Sequence, residues 1–168
     1  MLDISVINSN DAPAFTADPI AIAATEDAAL SDQLSATDAD AGDSLTYSKV
    51  SGPAWLAVSP GGVVSGTPGN GDVGANHFVV RVTDGSGAFD EAALDVTVAN
   101  VNDAPAFTAD PIAVNATEDA ALSAQLPAAD IDAGDTLTFT KISGPAWLAV
   151  SSSGALSGTP ANSEVGAN

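Results

Sequence analysis

The chain has no cysteine, so no disulfide framework can hold a small fold together and no thiol can be catalytic. Positive charge is almost missing too: 3 Lys and Arg stand against 22 Asp and Glu, a formal net charge of −19 in 168 residues. Such a balance repels nucleic acid and anionic membrane surfaces, excludes both as partners, and attracts divalent cations. His77 is the sole histidine, which leaves a Ser-His-Asp arrangement without support. No apolar run approaches the 18 or so residues of a membrane helix, and Met1 is not followed by a basic segment and an apolar core as in a signal peptide. With disulfides excluded, metal is the natural crosslink for small acidic domains.

What is present is order. Hydrophobic residues make up 45% of the chain and alternate regularly, which acidic disordered tails do not do. The chain also repeats itself. Asn10-Asp11-Ala12-Pro13-Ala14-Phe15 returns as Asn102-Asp103-Ala104-Pro105-Ala106-Phe107, and the residues after each copy match largely in step. The period of about 92 residues, with roughly three-quarters of overlapping positions identical, makes the unit a whole small domain rather than a solenoid repeat.

The register of the repeat sets the expected organisation. Leu2-Asp3-Ile4-Ser5-Val6 aligns with Leu94-Asp95-Val96-Thr97-Val98, so residues 1–9 read as the last strand of a preceding module. Residues 10–101 read as a complete module, and residues 102–168 as a second one cut before its last two strands. Val165-Gly166-Ala167-Asn168 matches Val73-Gly74-Ala75-Asn76, and the second module has no counterpart of residues 77–101. It therefore lacks partners equivalent to Phe78, Val80, Val82, Leu94, Val96 and Val98. At about 1.5–3 kcal/mol per buried side chain, the deficit rivals the whole stability of a domain, and the second module is expected not to be stable alone. Its open edge is expected to fray or to be capped by another chain, the segment from Leu2 to Val6 being one candidate.

Period-two alternation in Leu30/Asp32/Leu34/Ala36, Leu45/Tyr47, Phe78/Val80/Val82 and Leu94/Val96/Val98 predicts half-buried strands. Pro13, Pro19, Pro53, Pro60 and Pro68 recur too often for a long helix. Turn chemistry is explicit in Ala41-Gly42-Asp43, Ser51-Gly52-Pro53, Pro60-Gly61-Gly62 and Asp84-Gly85-Ser86-Gly87. These signals predict an all-β fold of tandem Greek-key β-sandwich modules, Ig- or cadherin-like, joined by a short proline-ended link that cannot act as a long tether.

Several motifs in fixed order carry a resemblance. Asp38-Ala39-Asp40, Leu45-Thr46-Tyr47-Ser48, Pro53-Ala54-Trp55-Leu56, Ser65-Gly66-Thr67-Pro68, Val73-Gly74, Val82-Thr83-Asp84 and Asn102-Asp103-Ala104-Pro105 resemble the dystroglycan-type cadherin-like, or Ig-like, module. The resemblance covers essentially the whole chain. It implies a tandem repeat of a large bacterial extracellular adhesin, or of a secreted polysaccharide-active protein, whose partners are the neighbouring repeats. It also implies Ca2+ at the module junctions, a hard cation that takes six to eight oxygen ligands. Carried over by motif, one junction would use Glu26, Asn100, Asn102, Asp103, Asp130 and Asp132, with Asp135 a weaker candidate. The N-terminal junction would use Asn8, Asn10, Asp11, Asp38, Asp40 and Asp84.

Other readings compete. Asp-x-Asp and Asn-Asp pairs also cap turns without any metal, although that does not explain acids gathered on both sides of a junction. A helix-loop-helix calcium loop fails because Gly42 is fifth from Asp38 and Lys49 is twelfth, where glutamate is required. Gly69-Asn70-Gly71-Asp72-Val73-Gly74 spells a dinucleotide fingerprint, but a strand comes after it and Ala161 and Ser163 replace two glycines in the second copy. Trp55 and Trp147 suggest a sugar-stacking platform, hence a carbohydrate-binding module as the alternative function, yet their setting favours core anchors. The acids sit in polar turns rather than an apolar cleft, so the chain is read as no enzyme. The sequence identifies no interface for homophilic contact.

Overall fold

A computed structural model describes residues 1–166. Positions 167 and 168, which take part in the repeat register, lie outside the described residues. The chain divides into a first unit, Met1–Val101, and a second, Asn102–Asn168.

The first unit contains β1 (Ala14–Phe15), β2 (Ile20–Thr25), β3 (Leu30–Gln33), β4 (Ala36–Thr37), β5 (Thr46–Ser51), β6 (Leu56–Val58), β7 (Val63–Gly66), β8 (Gly74–Thr83) and β9 (Phe89–Ala99). One sheet has the order β2-β9-β8-β5, a second has β3-β7-β6, and β1 pairs with β4. Only the β2·β9 pair is parallel, running from Ile20 beside Leu94 to Thr25 beside Ala99. Between the sheets lies the core: Ile22, Phe78, Val80, Leu94, Val96 and Val98 from one face meet Leu34, Leu56 and Val64 from the other. This is the all-β sandwich, and alternation sets which side chains enter it. Phe78, Val80, Val82, Leu94, Val96 and Val98 are all at most 2% exposed, while their strand neighbours face outward.

Asp84 turns the β8–β9 hairpin by accepting the Ser86 and Ala88 N–H groups at 2.8 and 2.9 Å, and Gly87 supplies the positive φ of 93°. The glycine-rich stretch from Gly69 is a single 3-10 turn, Asn70–Asp72, leading into β8. Trp55 sets its ring edge-on to Phe78 at 5.6 Å and donates from Nε1 to Asn76 Oδ1 at 3.2 Å. Lys49 donates to the Pro53 and Leu56 carbonyls, both at 2.7 Å, and so ties β5 to the segment that carries Trp55.

Residues 1–13 form no strand, and Leu2, Ile4 and Val6 are 84%, 76% and 89% exposed. The segment Leu2 to Val6, expected from the repeat register as the last strand of a preceding module, is paired with no strand among the described residues.

The second unit contains β10 (Ala106–Phe107), β11 (Leu122–Gln125), β12 (Ala128–Ala129), β13 (Ala149–Val150) and β14 (Ala155–Gly158). β10 pairs with β12, and β11-β14-β13 forms the counterpart of the β3-β7-β6 sheet. Residues 112–117 and 138–143 align with β2 and β5 but form no strand. The face they leave open is a cleft of about 830 Å³.

Candidate metal centre

In the first unit the loop after β4 folds Asp38, Asp40 and Asp43 onto one another, so that each offers an oxygen within 4.8 Å of the others. The local cause is an Asx-type bond, Asp38 Oδ1 accepting the Asp40 N–H at 2.9 Å. The N-terminal segment closes over this loop. Asp11 donates its N–H to Asp40 Oδ2 at 2.7 Å, Asn8 Nδ2 donates to Asp40 Oδ1, and Asn10 Nδ2 donates to Asp84 Oδ2 at 2.8 Å. The structure thus gathers Asn8, Asn10, Asp11, Asp38, Asp40 and Asp84. It also adds Asp43, which the motif resemblance does not include for this junction although its repeat counterpart Asp135 is a candidate at the next.

Charge in this loop is only partly compensated. The side-chain bond from Asn8 and the backbone bond from Asp11 hold Asp40 below the ordinary carboxylate range. Asp84 is lowered chiefly by Asn10, then by the Ser86, Ala88 and Gly87 N–H groups. Asp43 is raised, first by desolvation and then by Asp38, Asp40 and Asp84. Asp38 Oδ2 is buried with no hydrogen-bond partner among the described residues.

The second unit builds the same loop one repeat later. Asp130 Oδ1 accepts the Asp132 N–H at 3.0 Å, Asp132 Oδ2 accepts the Asp103 N–H at 2.6 Å, and Asn102 Nδ2 donates to the Asp103 carbonyl at 2.6 Å. Asp130, Asp132 and Asp135 bring oxygens within 4.8 Å of one another. Asp132 is 7% exposed, and its Oδ1 has no hydrogen-bond partner among the described residues.

Glu26 marks the opposite end of the first unit. It comes directly after β2 and is 1% exposed. Its N–H donates to the Ala99 carbonyl, and its Oε1 accepts the Val101 N–H at 2.6 Å. Its Oε2 is buried and unpartnered among the described residues. Asn100, between those two backbone partners in sequence, is exposed. Glu26 and Asn100 therefore belong to the first unit, and Asn102, Asp103, Asp130 and Asp132 to the second.

An orphaned buried carboxylate oxygen is costly, and Glu26, Asp38 and Asp132 each carry one among the described residues. The surrounding donors are all oxygens, with no thiolate or imidazole among them, which fits a hard cation of the calcium or magnesium type. His77, the one histidine, is an exposed residue of β8 with Nδ1 2.7 Å from Asp95 Oδ1, on the open face of the sheet rather than in a cleft. Among the described residues no helix is long and apolar enough to cross a membrane.

Comparison with known proteins agrees with this anatomy. Human Protocadherin Fat 1 is 39% identical over 112 residues, 61% of this chain but 2% of that protein. The endo-fucoidan hydrolase MfFcnA4 from glycoside hydrolase family 107 is 29% identical, with a TM-score of 0.53 over 92% of this chain and 25% of its own. Mouse Cadherin-23 EC22-24, at 23% identity and a TM-score of 0.67, covers 89% of this chain and 54% of its own, and shares the fold. The chain thus spans only a small part of its curated relative and about half or less of these solved chains. The model of the Putative Ig domain family matches residues 12–99 and again 104–168, so the chain belongs to that family, as two tandem cadherin-like repeats.

Proposed function

We propose that this chain is a structural segment of a large extracellular adhesion-type protein, in which calcium ions at the module junctions stiffen the array. The observation that carries the proposal is the set of buried carboxylate oxygens on Glu26, Asp38 and Asp132 that have no hydrogen-bond partner among the described residues, each belonging to an all-oxygen acidic group or to the exit of a module. Asn8, Asn10, Asp11, Asp38, Asp40, Asp43 and Asp84 would serve one junction. Glu26, Asn100, Asn102, Asp103, Asp130 and Asp132 would serve the next. A bound divalent cation replaces repulsion among like charges with shared coordination, which sets the angle between successive modules. Its role is mechanical, with no catalytic step.

The test is thermal unfolding with calcium and with a chelator. A cation that binds only the folded chain raises its stability by about 2.7 kcal/mol at a hundredfold excess over Kd. The calcium-dependent rise is expected to shrink in Asp38→Ala and in Asp103→Ala. Identical melting in calcium and chelator overturns the proposal.

A second reading rests on the likeness to the endo-fucoidan hydrolase: attachment of the modules to a polysaccharide-active protein, with binding of the glycan by the modules themselves. The indole of Trp55 is engaged by Phe78 and Asn76, which weighs against a stacking platform there. Retention on an insoluble glycan column favours this reading, and passage through it favours the spacer.

A further inference from the structure

The outward face of the β2-β9-β8-β5 sheet belongs to the complete first module, and its charged groups are sorted by strand. Arg81 and His77 point out from β8, and directly opposite them Glu91 and Asp95 point out from β9. Arg81 donates from Nε and Nη2 to Glu91 Oε1 at 2.9 and 2.5 Å, and His77 Nδ1 lies 2.7 Å from Asp95 Oδ1. The other outward residues of these strands are Ala, Val, Thr and Ser, apart from Phe89, whose ring Arg81 covers at 4.1 Å. Lys49 and Lys141 each direct the ammonium at two main-chain carbonyls, whereas Arg81, the sole arginine, stands on this face.

We propose that this face is a contact between two copies of the chain, packed sheet to sheet with their strands running the same way. The pattern is self-complementary about one two-fold axis, parallel to the strands and midway between β8 and β9. That axis sets β8 of each copy over β9 of the other at the same height, so Arg81 meets the second copy's Glu91 and His77 meets its Asp95. An axis perpendicular to the strands instead opposes Arg81 to His77 and Glu91 to Asp95, donor against donor and carboxylate against carboxylate. Both Arg81 bonds within a copy go to one oxygen, so Nη1 and Glu91 Oε2 have no partner among the described residues and are left for the second copy. The small side chains let the sheets approach to about 10 Å. Over the rest of the surface a net charge of −19 on each copy repels the other, while here every carboxylate finds a donor opposite. Four strands of about eight residues, about 4.8 Å apart, present roughly 500 Å² per copy, so the association is weak and reversible. It needs no metal ion and is independent of calcium at the junctions.

The test is sedimentation of the 168-residue chain in chelator, at about 0.15 M salt and up to about 1 mM protein. Wild type is expected to sediment faster as its concentration rises, and Arg81→Glu to weaken that association at least about tenfold. The double variant Arg81→Glu/Glu91→Arg restores the cross-strand pair within a copy and the opposed pairs between copies. It is therefore expected to associate with itself but not with wild type, where arginine would face arginine and glutamate face glutamate. Because the chain has no cysteine, a nitroxide on Ser86→Cys, at the exposed tip of the β8–β9 hairpin, reads the orientation. Parallel packing brings the two tips within roughly 25 Å, and antiparallel packing holds them more than about 40 Å apart. A monomeric wild type, unchanged association in Arg81→Glu, free mixing of the double variant with wild type, or tips held at the longer distance would each overturn the proposal.

Discussion

Glu26 and Val101 are joined by a 2.6 Å hydrogen bond from the Val101 N–H to Oε1, which ties a buried carboxylate to the last residue of the first unit. One oxygen of the carboxylate is thereby satisfied, and the other has no partner among the described residues. Two substitutions separate the two roles. Glu26→Gln keeps an acceptor for Val101 but removes the charge, so in chelator its stability is expected to match or exceed wild type while the calcium-dependent rise is lost. Glu26→Ala also strands the Val101 N–H and is expected to lose a further 1 kcal/mol or so in both conditions. Thermal melts of the three proteins with and without calcium check the pattern.

Asp43 provides a pH signature. Its carboxyl is held above the ordinary aspartate range by desolvation and by Asp38, Asp40 and Asp84. Between the ordinary value and the raised one, the folded chain keeps a proton that the unfolded chain releases, so this group's contribution falls as pH rises through that window. Asp40 and Asp84 are lowered and act oppositely: their contribution is present above the ordinary value and is lost as pH falls through the depressed one. Calcium is expected to bring the Asp43 pKa down, as read by carboxyl NMR titration. An Asp43 pKa that does not respond to calcium argues against a cation in that loop.

Gly52 and Gly144 occupy the same Ser-Gly-Pro turn with φ of 115° and 120°. A Cβ on Gly52 meets Phe78 Cδ1 at 2.3 Å and the His77 carbonyl at 2.9 Å, whereas on Gly144 the nearest atom is Lys141 Cε at 3.7 Å. Alanine costs about 1–2 kcal/mol of backbone strain at either position, and at Gly52 about 1–3 kcal/mol more for overpacking. Urea unfolding monitored by the fluorescence of Trp55 or Trp147, each isolated by replacing the other with Phe, measures both.

Hydrogen exchange should divide the two repeats despite their near-identity. Residues 46–51 form β5 and pair with β8 from Thr46↔Thr83 to Ser51↔Val79, while residues 138–143 form no strand. The latter amides are expected to exchange orders of magnitude faster than the former. Equal protection of the two segments would contradict the open cleft.

Legibility in the sequence differs from one element to the next. The β8–β9 hairpin is plain, because Phe78, Val80 and Val82 and then Leu94, Val96 and Val98 alternate cleanly around the Asp84 turn. β2 is not: Ile20-Ala21-Ile22-Ala23-Ala24 alternates, but alanine on both faces blurs which side is apolar, and the parallel partner is remote in sequence. At Leu2 to Val6 alternation reports a capacity to pair, which only a neighbouring strand can realise. Of the acids, Asp38, Asp40 and Asp84 can be named from motif resemblance. Asp43 escapes that resemblance because it sits in the Ala41-Gly42-Asp43 turn, although the repeat register with Asp135 is a signal that finds it. The burial of Glu26 has no local signature, since it arises from the backbone at the end of β9 closing over a residue about 75 positions earlier.

The parallel pairing of β2 with β9 governs how a pull along the polypeptide is borne. Tension reaching the first unit draws β2 by its leading end and β9 by its trailing end, in opposite senses along a shared axis. The hydrogen bonds between Ile20 beside Leu94 and Thr25 beside Ala99 are then loaded together in shear, rather than opened one after another as in a hairpin peeled from its tip.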